Sequence, residues 1–537
     1  MKRERGRVGR RAPRTPPRRA RPGTAYAPWR QFTRNQQEVA RRLTAGQITG
    51  VTVTGWSYAA QFLSFLDLVG YCALLHLEGR GFVRVMIPIA QLVLTYHLKV
   101  LLGIGSIHRV PTQLFREWAL LQLIGYTTTQ LQSGFCERGH LAAGPMHPNT
   151  LADAVERLQP AELERLLNET VQRLRARGCF RTSRGHFALD ASDLPTTKRY
   201  TGAGVKRYVE RRVTKDKQVV EVTRRVWGFK VLLVYEVRLR LVVAAKVVPI
   251  QEHESRYTRA LVAQARANLG PGAVRVLLID RGFLDGADRW YLKATLGIDF
   301  VIPAKDKMAV TADARALCRA RDPATGIVAQ ERAGRRRTVH GRVRPVGQVT
   351  VVAVPGLRSY DQYGDEAHAQ HANRQDFVAH SLNAVVVTHW EGTAYPVGEE
   401  KVFLTSLPVT APLAVLDLYD LRSLIENTAF RELKQGWGLL QYPKKTAAAV
   451  RGHVFVTLLT FTLANAFCTA AGHALTQRGI RRQRAEQYSP RIVLFAGDVY
   501  GIFEVEEVLI LLGVIPAQCW QTDPVRVRHR YGLPASA

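Results

Sequence analysis

Short apolar runs with strand character dominate residues 181–304, and two of them end at an aspartate. The run Phe187-Ala188-Leu189 leads into Asp190, and the run Val276-Leu277-Leu278-Ile279 leads into Asp280. Runs rich in β-branched residues and leucine, bounded by turn residues, indicate β-strands. The predicted strands are His186–Asp190, Trp227–Val237, Leu239–Pro249 and Val274–Asp280, and Ser255–Leu269 has the pattern of a helix. This order of elements predicts an α/β core in which the two aspartates lie on neighbouring strands.

A third carboxylate lies in a later segment that has the pattern of a helix. Tyr419, Arg422 and Glu426 follow one another at intervals of three and four residues. At about 100° per residue, a phenol, a guanidinium and a carboxylate then share one narrow helix face. Glu432 is an alternative third carboxylate, but it lies about 120° away from Glu426 around the helix. The sequence therefore favours Glu426 as the partner of the two aspartates, in a site that suits a phosphodiester held beside a metal.

The combination of these motifs resembles the catalytic core of the DDE transposases, and more narrowly the insertion-sequence-four family, whose signature helix carries Tyr, Arg, Glu and Lys. The stretches that carry the resemblance are Leu189–Thr196, Ile279–Phe283 and Ile425–Lys434, within a similarity that covers residues 187–445. In the family six residues separate the Glu from the Lys, whereas seven separate Glu426 from Lys434 here. On a regular helix this offset rotates the lysine by about 100°, although its long side chain still reaches the same side.

The resemblance implies an α/β fold with an RNase H-like catalytic core, a β-rich insertion and helical N-terminal and C-terminal regions. It also implies two Mg²⁺ ions, for which Mn²⁺ can substitute, because carboxylate oxygens are the ligands that hard divalent cations prefer. Asp190 would bridge both ions, Asp280 would bind one and Glu426 the other. The implied reaction is cut-and-paste DNA transposition, in which water and then a freed 3′-OH attack phosphodiesters at the element ends.

Basic and aromatic residues alternate in Lys206-Arg207-Tyr208 and in Arg224-Arg225-Val226-Trp227. Cationic side chains bind phosphate and an aromatic ring can stack on a base, although each stretch equally suits a solvated hairpin. In related enzymes a residue of the β insertion can hold a flipped base, and Trp390 is the one tryptophan of the predicted insertion. The candidate DNA-binding residues are Tyr419, Arg422, Lys434, Arg207, Arg225 and Trp390.

The charge balance favours a polyanionic partner. The 537 residues include 76 Lys and Arg against 44 Asp and Glu, which gives a formal net charge of +32. Counterion release would strengthen binding to nucleic acid, while a merely solvated, arginine-rich surface is the alternative. Six scattered cysteines without a C-x-x-C pair support neither a zinc site nor a disulfide framework, which fits a reducing cytoplasm. With a DNA partner, the expected location is cytoplasmic and nucleoid-associated. Apolar stretches at 85–103 and 453–475 contain polar side chains and indicate buried core helices rather than membrane spans.

The chain divides into six predicted regions. Residues 1–30, rich in Arg and Pro, predict a disordered basic arm, and residues 31–180 a helical DNA-binding region. Within that region, Pro111–Ile124 and Thr128–Arg138, joined by Gly125-Tyr126-Thr127, predict either a helix-turn-helix or two packed helices of no special role. The remaining regions are the first part of the core at 181–304, the β-rich insertion at 305–401, the second part of the core at 402–475 and a helical C-terminal region at 476–537.

We expect the partners to be double-stranded DNA, at terminal inverted repeats and at the target, and further copies of the chain in a homodimer or higher oligomer. Two other functions also fit the sequence. One is an RNase H-like endonuclease that cleaves without strand transfer, and the other is a domesticated DNA-binding protein that no longer cuts. The complete set of three carboxylates speaks against the second.

Overall fold

The computed structural model describes residues 32–75, 87–135, 144–213, 219–320, 328–332, 335–339, 342–346, 348–364, 380–390, 393–472, 490–514 and 522–535. These residues form a mixed α/β protein with one large sheet, helices that pack against it, and a smaller sheet. The predicted basic arm lies outside the described residues.

The bounds of the regular elements are as follows. The strands are β1 (Thr33–Arg34), β2 (Gly50–Thr54), β3 (His186–Thr196), β4 (Gly204–Val213), β5 (Val219–Glu236), β6 (Leu241–Pro249), β7 (Val276–Ile279), β8 (Asp299–Pro303), β9 (Val328–Arg332), β10 (Arg335–Val339), β11 (Arg342–Val346), β12 (Val349–Leu357), β13 (Leu382–Trp390), β14 (Thr393–Ala394), β15 (Lys401–Thr405), β16 (Arg491–Ala496) and β17 (Val499–Glu504). The α-helices are Gln36–Thr44, Ser57–Leu68, Ile89–Leu101, Val110–Gln113, Trp118–Leu123, Thr128–Ser133, Pro148–Arg157, Pro160–Ala176, Thr258–Leu269, Gly286–Trp290, Ala309–Ala320, Pro412–Asp420, Arg431–Gln435, Ala447–Ala470, Val505–Leu512 and Pro524–Arg530. Two segments, Tyr291–Thr295 and Ile425–Phe430, are π-helical.

Strand β3 lies inside the large sheet and carries Asp190. The sheet has the order β4-β5-β3-β7-β8-β15-β13-β12-β9, and β6 pairs with β5 as well. β5 runs antiparallel to β3, whereas β7 runs parallel to β3 and β8 runs parallel to β7. Parallel pairing needs a crossover connection, which the helix Thr258–Leu269 supplies before β7. The predicted order of three strands, a helix and a further strand is therefore present.

The predicted β-rich insertion extends this same sheet. β12 pairs with β9 and β13, and β13 pairs with β15, which is the next neighbour of β8. The insertion begins with an α-helix, Ala309–Ala320, which the strand-like pattern did not predict. Its β10 and β11 form a separate hairpin. The described part of the region 305–401 thus contains strands, and these strands lengthen the sheet that carries the candidate site.

Strand β5 is long enough to continue past its neighbours in the large sheet. Its 18 residues pair with β3 and β6 in the second half, while residues 219–226 pair only with β4 among the described strands. Residues 206–213 and 219–226 thus form a two-stranded antiparallel ribbon, called the β4–β5 ribbon below. At about 3.3 Å per residue the ribbon projects roughly 25 Å from the sheet.

The two ends of the chain meet in a second sheet of order β1-β17-β16-β2. β16 and β17 form a hairpin, β2 adds to it antiparallel, and β1 adds to it parallel. The prediction of a helical C-terminal region is therefore wrong for 491–504. The β-branched and aromatic residues of this hairpin form strands because residues more than 400 positions earlier supply a pairing partner. The helices Val505–Leu512 and Pro524–Arg530 complete the region.

The two apolar stretches tested for membrane character form buried helices. Ile89–Leu101 is buried at every position, and its His97 donates to or accepts from Thr460 at 2.7 Å. Among the described residues, Ala447–Ala470 is the one helix whose length and composition would let it cross a membrane, and 83% of its most apolar window is buried inside the protein. Some polar side chains of the two helices pair with one another across this packed interface, as Tyr96 and His453 do at 2.8 Å.

The predicted helix-turn-helix is shorter than expected. Its first half breaks into Val110–Gln113 and Trp118–Leu123, and its second half is Thr128–Ser133. Thr127 is the N-cap, as predicted, and forms a reciprocal capping box with Gln130. The end of the predicted second helix lies outside the described residues.

Candidate active site

Asp190 lies inside β3, where the pairing of that strand changes. Residues 186–189 pair with β7, and the strand continues past Asp190 to Thr196 with β5 as its partner. The predicted strand end at Asp190 is therefore wrong. Pro195 fits into the strand because, beyond residue 189, β3 pairs with a strand on one side only among the described residues. Asp190 is 5% exposed, and its Oδ1 accepts a hydrogen bond from the backbone N–H of Ala191 at 2.7 Å.

Asp280 directly follows β7. The parallel register pairs Leu189 with Ile279, so Asp190 and Asp280 are the next residues on two neighbouring strands. The Asp280 carboxylate caps a short 3-10 turn and accepts a hydrogen bond from the backbone N–H of Gly282 at 3.1 Å. The prediction that the two aspartates lie on adjacent strands is confirmed.

The signature segment is an irregular helix rather than the single α-helix that was predicted. An α-helix ends at Asp420, a turn follows, residues Ile425–Phe430 are π-helical, and Arg431–Gln435 return to α-helix. A π-turn closes hydrogen bonds to the fifth residue and so accommodates one residue more than an α-turn. This extra residue matches the seven-residue spacing between Glu426 and Lys434.

Lys434 consequently faces the strand that carries Asp190. Its Nζ donates a hydrogen bond to Ser192 Oγ at 2.7 Å. Ser192 and Asp190 are two residues apart on β3, so their side chains lie on one face of the strand. Burial lowers the pKa of Lys434, with the nearby Asp193 acting in the opposite direction. Ser192 was missed from the sequence, although its two-residue spacing from Asp190 in a strand is a signal that could have identified it.

The guanidinium of Arg422 lies between the three carboxylates. Its Nη1 is 2.9 Å from Asp190 Oδ2 and 3.4 Å from Asp280 Oδ1, and its Nη2 is 2.8 Å from Glu426 Oε1. Residues far apart in the chain therefore converge on one cation. The predicted shared face of Arg422 and Glu426 is present, since the two side chains are in direct contact.

Tyr419 also contacts this arginine. The guanidinium carbon of Arg422 lies 5.8 Å from the centre of the Tyr419 ring, within cation–π range. The ring also packs against Phe403 of β15, with centroids 4.8 Å apart. Burial raises the pKa of Tyr419 above its usual value, so the phenol stays protonated.

The electrostatics of the cluster follow from burial and from its mixed charges. The pKa of Asp190 is raised to about 7, with burial as the largest cause; Arg422 and the Ala191 N–H act to lower this pKa, and Asp280 and Glu426 act to raise it. Burial alone would lower the pKa of Arg422, but Tyr419 and the three carboxylates raise it above its usual value. The arginine is therefore always charged, and the pKa of Asp190 lies above its usual value.

Within the described ranges, no group of three or more His, Cys, Asp or Glu residues is spaced to hold a metal ion. The three carboxylates instead share Arg422. By donor chemistry they suit a hard divalent cation, because all three offer oxygen ligands. They would have to give up the guanidinium to bind such a cation. The residues that would hold it are Asp190, Asp280 and Glu426.

The other candidates lie apart from this cluster. Glu432, the alternative third carboxylate, is buried and pairs with Arg240 at 3.2 Å. Arg207 and Arg225 are exposed and lie directly opposite one another in the β4–β5 ribbon. Trp390 ends β13 and is half-buried against the apolar cluster that also contacts Tyr419.

The decisive comparison concerns the span that holds these carboxylates. The family model of the transposase DDE domain matches residues 181–463, more than half of the chain. The chain belongs to the DDE transposases. The matched span of this DDE transposase contains Asp190, Asp280 and the whole signature segment. As a member of this family, the protein is an enzyme of DNA transposition.

Two further comparisons give no argument about the function of this DDE transposase. No curated protein matches it. Among solved structures, the cryo-EM structure of a piggyBac transposase synaptic complex with hairpin DNA is similar, with 9% sequence identity and a TM-score of 0.35. That similarity covers 95% of this chain and 88% of the other chain. The assignment of the DDE transposase rests on the family match alone.

Proposed function

We propose that this DDE transposase moves an insertion sequence by a cut-and-paste reaction, with hydrolysis and strand transfer at the element ends. The observation that carries the proposal is the convergence of Asp190, Asp280 and Glu426 on one guanidinium, inside the span that matches the DDE domain. The order β6-β5-β3-β7-β8 of the sheet, with the last three strands parallel, supports an RNase H-like core. The Tyr-Arg-Glu-Lys signature supports the insertion-sequence-four family, the extra residue being taken up in the π-helical turn.

The three carboxylates would hold two divalent cations, Mg²⁺ in the cell and Mn²⁺ as a substitute. When bound, such cations activate the attacking oxygen and neutralise charge that develops on the phosphate and on the leaving oxygen. Arg422 and Lys434 would bind the phosphates beside the scissile bond, one as a planar fork and the other as a point charge. Tyr419 orients Arg422 through its ring.

DNA contacts beyond the cluster would come from the β4–β5 ribbon and from the end of β13. Arg207 and Arg225 would bind phosphates, and Trp390 would stack on a base displaced from the duplex. The expected partners are double-stranded DNA at terminal inverted repeats and at the target, and a further copy of the chain in a homodimer or higher oligomer. This activity belongs in the cytoplasm, on the nucleoid.

Purified protein incubated with its own flanking terminal sequences and Mg²⁺ tests the proposal. We expect joined products. Cut ends without joining would instead indicate an RNase H-like endonuclease, and retardation without cutting would indicate a DNA-binding protein that has lost catalysis. Gel separation of the products distinguishes the three outcomes.

Single substitutions test the ligand set. Asp190→Ala, Asp280→Ala and Glu426→Ala should each abolish cleavage while DNA retardation stays within about twofold of the unaltered protein. Asp313→Ala is the matched control, because Asp313 is an exposed aspartate of the helix Ala309–Ala320 and is not part of the carboxylate cluster. Cleavage retained in any of the three variants would remove that residue from the ligand set.

A further inference from the structure

One guanidinium contacts all three carboxylates of the proposed ligand set. The Arg422 side chain is 14% exposed, and the side chains of Asp190, Asp280 and Glu426 are 7%, 38% and 53% exposed. The two terminal nitrogens of Arg422 contact different carboxylates. Nη1 lies between the two strand aspartates, and Nη2 is hydrogen-bonded to Glu426.

A cation is needed at this point whatever its identity. Three acidic side chains that reach one small group repel one another, and a charge between them removes that repulsion. The planar guanidinium with its several donors is suited to bridge carboxylates in this way. A divalent ion would need the same oxygen atoms, so the arginine and the ion compete for them.

The Arg422 side chain can leave the carboxylates without a change in the strands that carry the aspartates. Arg422 lies in the turn between the α-helix that ends at Asp420 and the π-helical segment Ile425–Phe430. The guanidinium also lies over the ring of Tyr419, which belongs to the same segment of the chain. A rotation about its own side-chain bonds can therefore release the carboxylates without disturbing the strands that carry the aspartates.

From these contacts we infer that Arg422 is a built-in counter-ion that holds the carboxylate cluster together until it is exchanged for divalent cations and transfers to a DNA phosphate. The inference rests on the proposed function, because it takes the three carboxylates as metal ligands. DNA offers Arg422 an alternative anionic partner and so frees the carboxylates. DNA binding and metal binding therefore strengthen one another, and by linkage the coupling is the same in both directions. Arg422 is a positioning residue in the absence of DNA.

Titration with Mn²⁺, followed by the electron paramagnetic resonance signal of the free ion, tests this without any measurement of activity. We compare the unaltered protein with Arg422→Gln, in the absence and in the presence of a short duplex that carries the element end. Without DNA, Arg422→Gln should bind Mn²⁺ about tenfold more tightly than the unaltered protein, and DNA should tighten Mn²⁺ binding about tenfold in the unaltered protein but not in the variant. Arg431→Gln is the matched control, since it removes the same charge from an exposed position in the same segment.

Arg422→Lys guards against a folding defect of the first variant. It keeps the positive charge, but a single ammonium group cannot bridge three carboxylates, so its Mn²⁺ affinity without DNA should lie between those of the other two proteins. If all of these proteins bind Mn²⁺ equally and DNA has the same effect on each, Arg422 does not compete with the metal and the inference is wrong while the ligand set stands. If none of them binds Mn²⁺ with or without DNA, the ligand set itself, and with it the proposed function, is wrong.

Discussion

The β4–β5 ribbon provides the most direct test of how the protein holds DNA. Arg207 and Arg225 are cross-strand partners in this ribbon and share one of its faces. Like charges directly opposite in an antiparallel pair are destabilising. Arg224, on the other face, is neutralised by Glu210 at 2.5 Å. A phosphate bound between Arg207 and Arg225 would remove the repulsion, so this face is expected to contact the DNA backbone.

The perturbation is the double substitution Arg207→Ala, Arg225→Ala. Each lost phosphate contact reduces the slope of log affinity against log salt by about 0.9, so the double variant should lose about 1.8. Between 50 and 200 mM salt, the DNA affinity of the unaltered protein should therefore fall about tenfold more than that of the variant. Fluorescence anisotropy with labelled duplexes, repeated over this salt range, measures the two slopes.

Arg224→Ala is the matched control, because it removes a ribbon arginine whose charge is already paired. Its salt slope should equal that of the unaltered protein. Duplexes of unrelated sequence should show the same change in slope as element ends, since backbone contacts carry no base information. Equal slopes for the double variant and the unaltered protein would refute the assignment of this face to DNA.

Three further predictions concern Lys99, two glycines and Ser192. Lys99 is 3% exposed, and burial lowers the pKa of its ammonium group to about 8. Between pH 8 and the pKa of the unfolded chain, near 10.5, the native state therefore binds fewer protons than the unfolded state. The free energy of unfolding should then rise by up to about 3 kcal/mol across this interval, and denaturant titrations of Lys99→Met should lack that rise. Gly228→Ala places a Cβ 2.3 Å from a backbone carbonyl oxygen of β3 and should lower the free energy of unfolding by about 1–3 kcal/mol. In Gly50→Ala the nearest atom to the new Cβ is 3.6 Å away, so this variant should be close to neutral. Thermal unfolding compares the two variants. Ser192→Ala removes the hydrogen-bond acceptor of Lys434 and should slow strand cleavage by up to about tenfold in single-turnover assays. Lys434→Met should slow cleavage more than this. Equal cleavage rates for Ser192→Ala and the unaltered protein would show that this hydrogen bond does not position the lysine.

The centre of the fold could be predicted from local patterns. The apolar runs that end at Asp190 and Asp280 and the helix between them dictate a parallel pair joined by a crossover, which brings the two aspartates together. Likewise, the four-residue step between Arg422 and Glu426 places both on one helix face. These predictions hold because each depends on a period of two or of 3.6 residues, which is written in neighbouring positions.

Features that depend on distant partners could not be predicted in this way. Pro195 breaks the strand pattern, and only the observed pairing of β3 shows that a proline fits there. The π-helical turn has no local signature, since the residues Ile425–Phe430 would suit an α-helix equally well. The interposition of Arg422 among the carboxylates likewise depends on contacts between residues more than 200 positions apart. The strands near the C-terminus were missed because their partners lie near the N-terminus.

The sheet that joins β1 and β2 to β16 and β17 has a consequence for synthesis on the ribosome. All three acidic residues of the candidate site are translated before residue 491, yet the first strands of the protein must wait for residues 491–504 before they gain their neighbours. Such non-local pairing is slow, because the intervening chain has to be closed into a loop first. A prematurely terminated chain would leave β1 and β2 with exposed edges, so we expect a truncated product to aggregate or to be degraded.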